Sequence, residues 1–439
     1  MGLLLALAVL VCFGMLILFS MRRSYLPALA LAALVLVPRK ALPDYPLSDF
    51  LTLPLVIMVV WALRRLMVRA PRQQASPAQQ SRSLAPICGL VVFLAIWFAM
   101  SALASEFKGA SLSWIVHFFV LAVSPVLFGI DGDERRLVKR AFVILTAVVS
   151  VYAILEWVIG GNPVYDAIYA FLGEGDVQIW STYRSHATFG HPLYASLFLS
   201  LAFGAAFTGL LTAPSRANIA LSVLSLVGVA STVSRSGLLT VAGLIVVTII
   251  VTVFRRTKTN FLAKLGLAAG IGVLAVAAMT SPLVQERLLS SEAESSSGAR
   301  EAMLQVATTA AGKNSILGSG PGTSSLGVQL FNPLGLYVEN GYLQLLVSVG
   351  LVGLVGFALM LVSAWFVATK RRIYWISGMI VAYTVQVSSF NFLESNPAYL
   401  LMTGLIVAIA VSPEVQDQAR PADSTRRLEA RHLERSLNV

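Results

Sequence analysis

Apolar runs close to membrane-crossing length recur from one end of the chain to the other, separated by short polar or basic stretches. A helix needs about 20 apolar residues to cross the hydrocarbon core, and a chain in lipid must satisfy its backbone hydrogen bonds within each span. The runs therefore predict transmembrane helices near 3–19, 25–38, 49–63, 84–103, 112–130, 141–159, 191–209, 217–232, 236–254, 263–281, 342–364, 373–390 and 397–412. The expected fold is all-α, a polytopic integral membrane protein of about 13 transmembrane helices, within a range of about 12 to 14. The run at 25–38 sets that range, because as a helix it rises only about 20 Å. Residues 1–412 are read as one helical membrane domain and 413–439 as a basic tail. Residues 1–19 lack a basic leading segment and a cleavage signal, and are read as a retained helix.

Composition agrees with this pattern. Hydrophobic residues make up 57% and charged residues only 12%, about half the charged share of a soluble domain. A net charge of +11 raises the question of nucleic acid, but the cations fall in short clusters between spans rather than on one patch. Clusters at Arg22/Arg23, Arg64 to Arg82, Arg135 to Arg140, Arg255 to Lys264, Lys370 to Arg372 and Arg420 to Arg435 all share one side under a single alternation. The positive-inside rule makes that side cytoplasmic, with the amino terminus outside and the carboxyl terminus inside. Only the pair Arg39/Lys40 breaks the alternation. Cys12 and Cys88 sit inside apolar runs, which excludes a disulfide framework and a cysteine-rich metal site. No G-x-x-x-x-G-K-[ST] occurs, so neither a nucleotide partner nor an ATP-driven pump is expected. The stretch 70–83 reads as a polar linker.

Two loops on the outer side are long, 160–190 and 282–341, and loops above about 15 residues are often functional. The second contains a helical stretch around Ala299–Ala311 and then GSGPG at Gly318–Gly322, which reads as a tight turn rather than a phosphate-binding loop. Four short motifs stand where these loops meet the membrane: YRSHATFGHP at Tyr183–Pro192, SRSG at Ser234–Gly237, SGAR at Ser297–Arg300, and VENGYLQLL at Val338–Leu346 followed by GLVG. Arg184, Arg235 and Arg300 thereby converge on one face. Arg235 lies between two apolar runs with almost no loop to retreat into, and an ionisable residue at such depth marks a functional site by default. Grouped guanidinium groups bind phosphate oxygens bidentately and stay charged at any working pH. The plainer alternative is that each arginine anchors its helix at the interface. For His186 and His191 the structural reading comes before the functional one, His191 as the residue that ends the loop before Pro192. Trp180, Tyr183 and Tyr194 are candidates for stacking on sugar rings. No grouping of His, Asp and Glu has metal-ligand spacing, and no metal is expected.

In this order, RSHATFGHP, SRSG, the GAR helix followed by GSGPG, and ENGYLQLLxxxGLxG resemble the O-antigen ligase and polysaccharide polymerase superfamily of bacterial inner-membrane proteins, over about residues 184–355. The resemblance implies glycosyl transfer at the periplasmic face, without nucleotide, metal or other cofactor. The donor would be a glycan carried on undecaprenyl pyrophosphate, and the acceptor a saccharide or lipid-linked saccharide. It assigns Arg235, Arg300 and Glu339 to catalysis and Arg184 and Asn340 to substrate binding, to which His191, His186 and Tyr183 are added from their place in the first motif. The arginines would hold the pyrophosphate and stabilise its charge as it leaves. Ligases of this type carry His-Asn where this chain has Glu339–Asn340. A carboxylate can take the acceptor proton equally well, and the difference favours a repeat-unit polymerase over a ligase. A flippase or secondary transporter is the alternative of another class. It would place ionisable residues near the bilayer midplane in internal repeats, whereas here they cluster at the outer ends of spans.

Overall fold

The computed structural model describes residues 16–37, 51–67, 77–171, 182–254, 291–313, 316–333 and 335–412, with isolated positions at 14 and between 266 and 285. The spans expected near 3–19 and 263–281, the pair Arg39/Lys40, Trp180 and the tail 413–439 lie wholly or largely outside the described residues. The structure is 81% helical, with no strand among the described residues, as the apolar pattern requires.

In chain order the main helices are α1 (Leu26–Leu36), α2 (Leu53–Met67), α3 (Pro77–Ala104), α4 (Lys108–Phe128), α5 (Gly132–Ile159), α6 (Tyr165–Phe171), α7 (Pro192–Thr212), α8 (Arg216–Ser231), α9 (Arg235–Phe254), α10 (Ser291–Lys313), α11 (Gly341–Lys370), α12 (Tyr374–Val387) and α13 (Leu400–Val411). Among the described residues five helices are long and apolar enough to cross a membrane, namely α4, α5, α7, α11 and the Pro86–Ala104 part of α3. The expected count of about 13 full spans is not reached among them. With 11 residues, α1 rises about 17 Å, short of the roughly 30 Å hydrocarbon core. A second expectation changes at 70–83, where the helix α3 already begins at Pro77, so the latter half of that polar stretch is helical rather than linker.

Helix α7 is the hub, buried along nearly its whole length and packed against α5, α8, α9 and α12. Its closest partner is α12, because Gly204 and Gly378 face each other. A Cβ on Gly204 would stand 2.5 Å from the Gly378 carbonyl oxygen. Small residues at a crossing let two backbones approach where lipid supplies no hydrophobic drive. Helix α4 is wound wider over Phe118–Val123, and α13 approaches there so closely that a Cβ on Gly404 would lie 1.9 Å from the Leu121 carbonyl oxygen.

Among the described residues, Arg23, Arg65, Arg135 and Arg371 gather at one end. Asp131 caps α5 in a reciprocal capping box with Glu134. Arg23 reaches Asp131 at 2.9 Å and Glu134 at 3.3 Å, while Arg65 reaches Asp131 at 3.2 Å. The Trp61 indole donates to the buried Glu134 at 2.9 Å. Arg135 and Arg371 hold the end of α13 through the Ser412 carbonyl, at 3.1 and 2.9 Å.

Helix α11 is not one continuous rod. At Gly350 the backbone turns to φ 70° and ψ 178°, and the GSGPG turn docks into the break. Gly318, Gly320 and Gly322 all have positive φ, so the tight turn read from the sequence is present. It does more than close a loop. Ser319 and Gly320 donate their N–H groups to the carbonyls of Val347 and Ser348 at 3.0 and 2.8 Å, and the Trp97 indole donates to Val349 at 2.9 Å. These are the carbonyls a break at Gly350 frees. Non-helical backbone inside a membrane bundle persists only where such partners satisfy it. Gly350→Ala should therefore destabilise the protein by about 1–3 kcal/mol, because its Cβ would stand 2.0 Å from the Ile316 carbonyl oxygen. The expected result is a lower melting temperature in detergent, and an unchanged one would mean that the break is not under constraint.

Candidate functional site

At the other end of the bundle, the start of α7, the start of α9, the start of α11 and the connection 388–399 come together. The YRSHATFGHP segment is fixed there by Glu156, in the last turn of α5. This buried carboxylate accepts the N–H of His186 at 2.9 Å, the N–H of Ala187 at 2.6 Å and the Tyr183 hydroxyl at 2.9 Å. Asn162 donates to the Ala187 carbonyl at 2.8 Å, and the Ser185 hydroxyl donates to Ala153 at 2.8 Å. Ala187 stands at φ 48°, a conformation uncommon for a residue with a Cβ. Burial, and then the neighbouring Glu156, push the Tyr183 hydroxyl well above its ordinary pKa.

The same segment reaches the SRSG turn. The Ser185 N–H donates to the Ser231 carbonyl at 3.1 Å, and Arg184 Nε donates to the Thr232 carbonyl at 3.2 Å. Arg184 is thus buried within a few residues of Arg235, which opens α9. Val233 takes φ 48° to make the turn, and the Ser234 hydroxyl accepts the Gly237 N–H at 3.3 Å. A Cβ on Gly237 would meet Ser196 Oγ at 2.2 Å, so the glycine of SRSG is what lets α9 lie against α7.

The second half of the site is built on α10 and α11. Met303, Ala307 and Ala310 lie on one face of α10 and pack with Val328, Val338 and Val347. That packing carries Arg300 to Glu339, with Nε and Oε2 3.2 Å apart and the side chains 44% and 45% exposed. Asn340 caps α11, its side-chain oxygen accepting the N–H groups of Tyr342 and Leu343 at 2.9 and 3.2 Å, while its amide donates to the Ser388 carbonyl at 2.7 Å. Two residues on, Phe390 stacks on His191, with centroids 5.8 Å apart and planes 3° from parallel. His191 in turn caps α7, accepting the Leu193 N–H at 3.2 Å. Tyr194 stacks on Tyr399 at 4.6 Å and shares a hydrogen bond with Ser395 at 2.8 Å. The 388–399 connection therefore joins the two halves.

Of the residues singled out from the sequence, Arg184 and Arg235 share one half of the site, and Arg300, Glu339 and Asn340 share the other, with His191 beside the connection. His186 stands apart from an open surface: it is buried, its ring 3.5 Å from Glu156 and 3.3 Å from Asn162. It holds the loop, and Tyr183 does the same through Glu156. Among the described residues no group of three or more His, Cys, Asp or Glu is placed to hold a metal.

Two carboxylates escaped the sequence reading. Glu156 was absorbed into an apolar span. Glu394 lies in the turn Phe392–Ser395, where it accepts the Ser324 N–H at 3.0 Å and the Ser324 hydroxyl, immediately after the GSGPG turn. Its other oxygen is buried without a partner. Trp114, which covers Gly322, donates to the Leu393 carbonyl at 2.7 Å. Burial raises the Glu394 carboxyl to about 7, against the lowering effect of its hydrogen bonds from Ser324. The signal was present, since N-F-L-E-S-N puts a carboxylate between two apolar runs, as SRSG does an arginine. A raised carboxyl keeps its proton in the folded state while the unfolded chain loses it. Its contribution to stability is therefore full below about 4.5 and is lost as pH rises through about 7. Glu394→Gln should remove that part of the fall in melting temperature, and an identical slope in both proteins would mean that Glu394 titrates normally.

The fold and the site define a multi-pass, all-α membrane protein that gathers arginines, a carboxylate and a histidine at one end of its bundle. Residues 220–358 match the family model described as O-antigen ligase. The match covers α9, α10, the GSGPG turn, the Glu339 motif and the broken helix, and it supports the O-antigen ligase and polysaccharide polymerase superfamily. Together with the apolar helices it supports a multi-pass inner-membrane protein. No curated protein matches the chain.

Proposed function

We propose that the chain transfers a glycan from undecaprenyl pyrophosphate to a saccharide acceptor at the periplasmic face, as a polymerase of repeat units. The observation that carries this reading is the Arg300–Glu339 pair, 3.2 Å apart and half exposed beside the Asn340 cap. It sets a proton acceptor and a phosphate-binding cation side by side, open to substrate. The acceptor hydroxyl oxygen attacks the anomeric carbon and gives its proton to Glu339. The bond from that carbon to the pyrophosphate oxygen breaks, and undecaprenyl pyrophosphate leaves with the electron pair. Arg184, Arg235 and Arg300 stabilise the charge that develops on it. His191 and Asn340 shape the acceptor side, and the reaction needs neither nucleotide nor metal.

The family's description as O-antigen ligase favours the ligase alternative, in which the acceptor is lipid A-core. Glu339 in place of the ligases' histidine favours the polymerase. Purified protein given lipid-linked repeat units alone should yield longer lipid-linked glycan. Product only when lipid A-core is added would establish the ligase. No product in detergent, but movement of donor across vesicles, would establish a transporter. The orientation has its own test: reporter fusions after Gly209 and Lys370 should be cytoplasmic, and fusions within 292–330 periplasmic. A cytoplasmic 292–330 segment would separate Arg300 from a periplasmic donor and end this reading.

A further inference from the structure

At the end of the bundle opposite this site, α5, α7, α8 and the start of α12 line a half-open cavity of about 190 Å³. Its walls are apolar, formed by Phe142, Val143, Ala202, Ala206 and Leu221, and its lining includes Lys139 and Arg372. Both cations are exposed, and neither meets a carboxylate among the described residues. The Lys139 ammonium stands 5.6 Å from the ring centroid of Trp375, which also lines the cavity.

Arg372 sits at φ 61° as the left-handed residue that ends α11, with the Ile373 N–H donating to the Ala368 carbonyl at 2.8 Å around it. The Arg372 N–H donates to the Thr369 carbonyl at 3.2 Å, and this holds the cation at the α11–α12 corner. Deeper, Thr146 lines the cavity and is only 2% exposed, yet its hydroxyl has no hydrogen-bond partner. Threonine hydroxyls in membrane helices ordinarily bond the carbonyl four residues back, as Thr208 and Thr212 do on the facing helix. A buried hydroxyl left unbonded in a cavity wall is a place for a polar atom of a ligand.

We infer that this cavity binds one anionic phospholipid, its phosphate between Lys139 and Arg372, a backbone ester oxygen at Thr146 and an acyl chain along the apolar wall. Free phosphate would satisfy the two cations but leave the wall and Thr146 unmet. The surroundings fit the same ligand. Arg23, Arg65, Arg135 and Arg371 gather at this end, and basic pockets between membrane helices select anionic head groups. The inference does not depend on the glycosyl-transfer reading, since the cavity lies at the far ends of α7 and α12 from His191 and Phe390.

The test uses the purified full-length chain in detergent and native mass spectrometry with phosphatidylglycerol and phosphatidylcholine. Phosphatidylglycerol should be retained and phosphatidylcholine not. In the double variant Lys139→Gln/Arg372→Asn retention should weaken by about 25-fold, about fivefold for each cation at a membrane surface. Asparagine is chosen at 372 because it tolerates the left-handed backbone. Ala206→Leu, which fills the cavity and keeps both charges, should also weaken retention, and it decides the matter if the double variant fails to fold. Equal retention of the two lipids, or unweakened binding in a folded double variant, would overturn the inference. So would loss in the double variant with none in Ala206→Leu, which would leave surface charge alone. Complete displacement of phosphatidylglycerol by millimolar inorganic phosphate would equally show a head-group ion site and not a lipid site.

Discussion

Glu339→Gln is expected to lower glycan transfer by about 10²- to 10⁴-fold, the usual effect of removing a general base, without removing the protein from the membrane. The amide keeps the shape of the side chain, and it can still accept a hydrogen bond from Arg300 Nε, which lies 3.2 Å from Oε2 in the wild type. What it cannot do is take a proton from the acceptor hydroxyl. Glu339→His should retain some turnover, since an imidazole can take the same proton and the resemblance to the ligases puts a histidine at this position. The alternative is that Glu339 only organises the loop by pairing with Arg300, which the half-exposed ion pair also allows. The two separate cleanly in an assay on purified lipid-linked donor. An active Gln variant rules the base out, whereas an inactive one that still binds donor, with an active His variant, supports it. Exposed ion pairs contribute only about 0–1 kcal/mol, so loss of the pair alone should leave folding unaltered.

Replacement of Arg184, Arg235 or Arg300 by alanine is expected to reduce transfer by about 10²- to 10³-fold each, the typical worth of one preorganised donor to developing negative charge. Lysine should rescue poorly, because it keeps charge and loses the bidentate fork. The three should not behave alike in every respect. Arg184 is buried and also holds the turn before Arg235 through the Thr232 carbonyl, so Arg184→Ala should lower the melting temperature as well as the rate. Arg300 is half exposed on α10, and its alanine variant should affect rate alone. Because Arg300 and Glu339 touch, the double variant Arg300→Ala/Glu339→Gln should lose less than the product of the two single losses. Near-normal product from all three alanine variants would return the arginines to the role of interfacial anchors.

Periodicity and composition determined a good deal by themselves. The helices α3, α4, α5, α7, α8, α9, α11, α12 and α13 follow from local apolar runs, because a helix in lipid must close its own hydrogen bonds whatever its neighbours do, although only five are long enough to span among the described residues. The helix around Arg300 and the tight turn at Gly318–Gly322 were equally legible, the first from residues of good helix propensity and the second from glycine spacing. The place of Arg184 and Arg235 beside span ends was legible too, since charge between two apolar runs has few places to go.

Contacts between segments distant in the chain decided the rest. Hydropathy read Glu156 as one polar residue in an apolar span, whereas the fold turns it into the anchor of Tyr183, His186 and Ala187. For His186 the sequence left a structural and a ligand reading open, and the fold buries it beside that carboxylate. The break at Gly350 is invisible in V-G-L-V-G, because a glycine there reads equally as close packing. Only the arrival of Ser319 and Gly320 at the freed carbonyls makes an open helix affordable. The pairing of Arg300 with Glu339 and the burial of Glu394 against Ser324 likewise depend on where α10 and the 388–399 connection pack. Local sequence sets which segments are helical because that energy is local. It cannot set which carbonyls, carboxylates and guanidinium groups meet, since those interactions exist only once the helices are side by side.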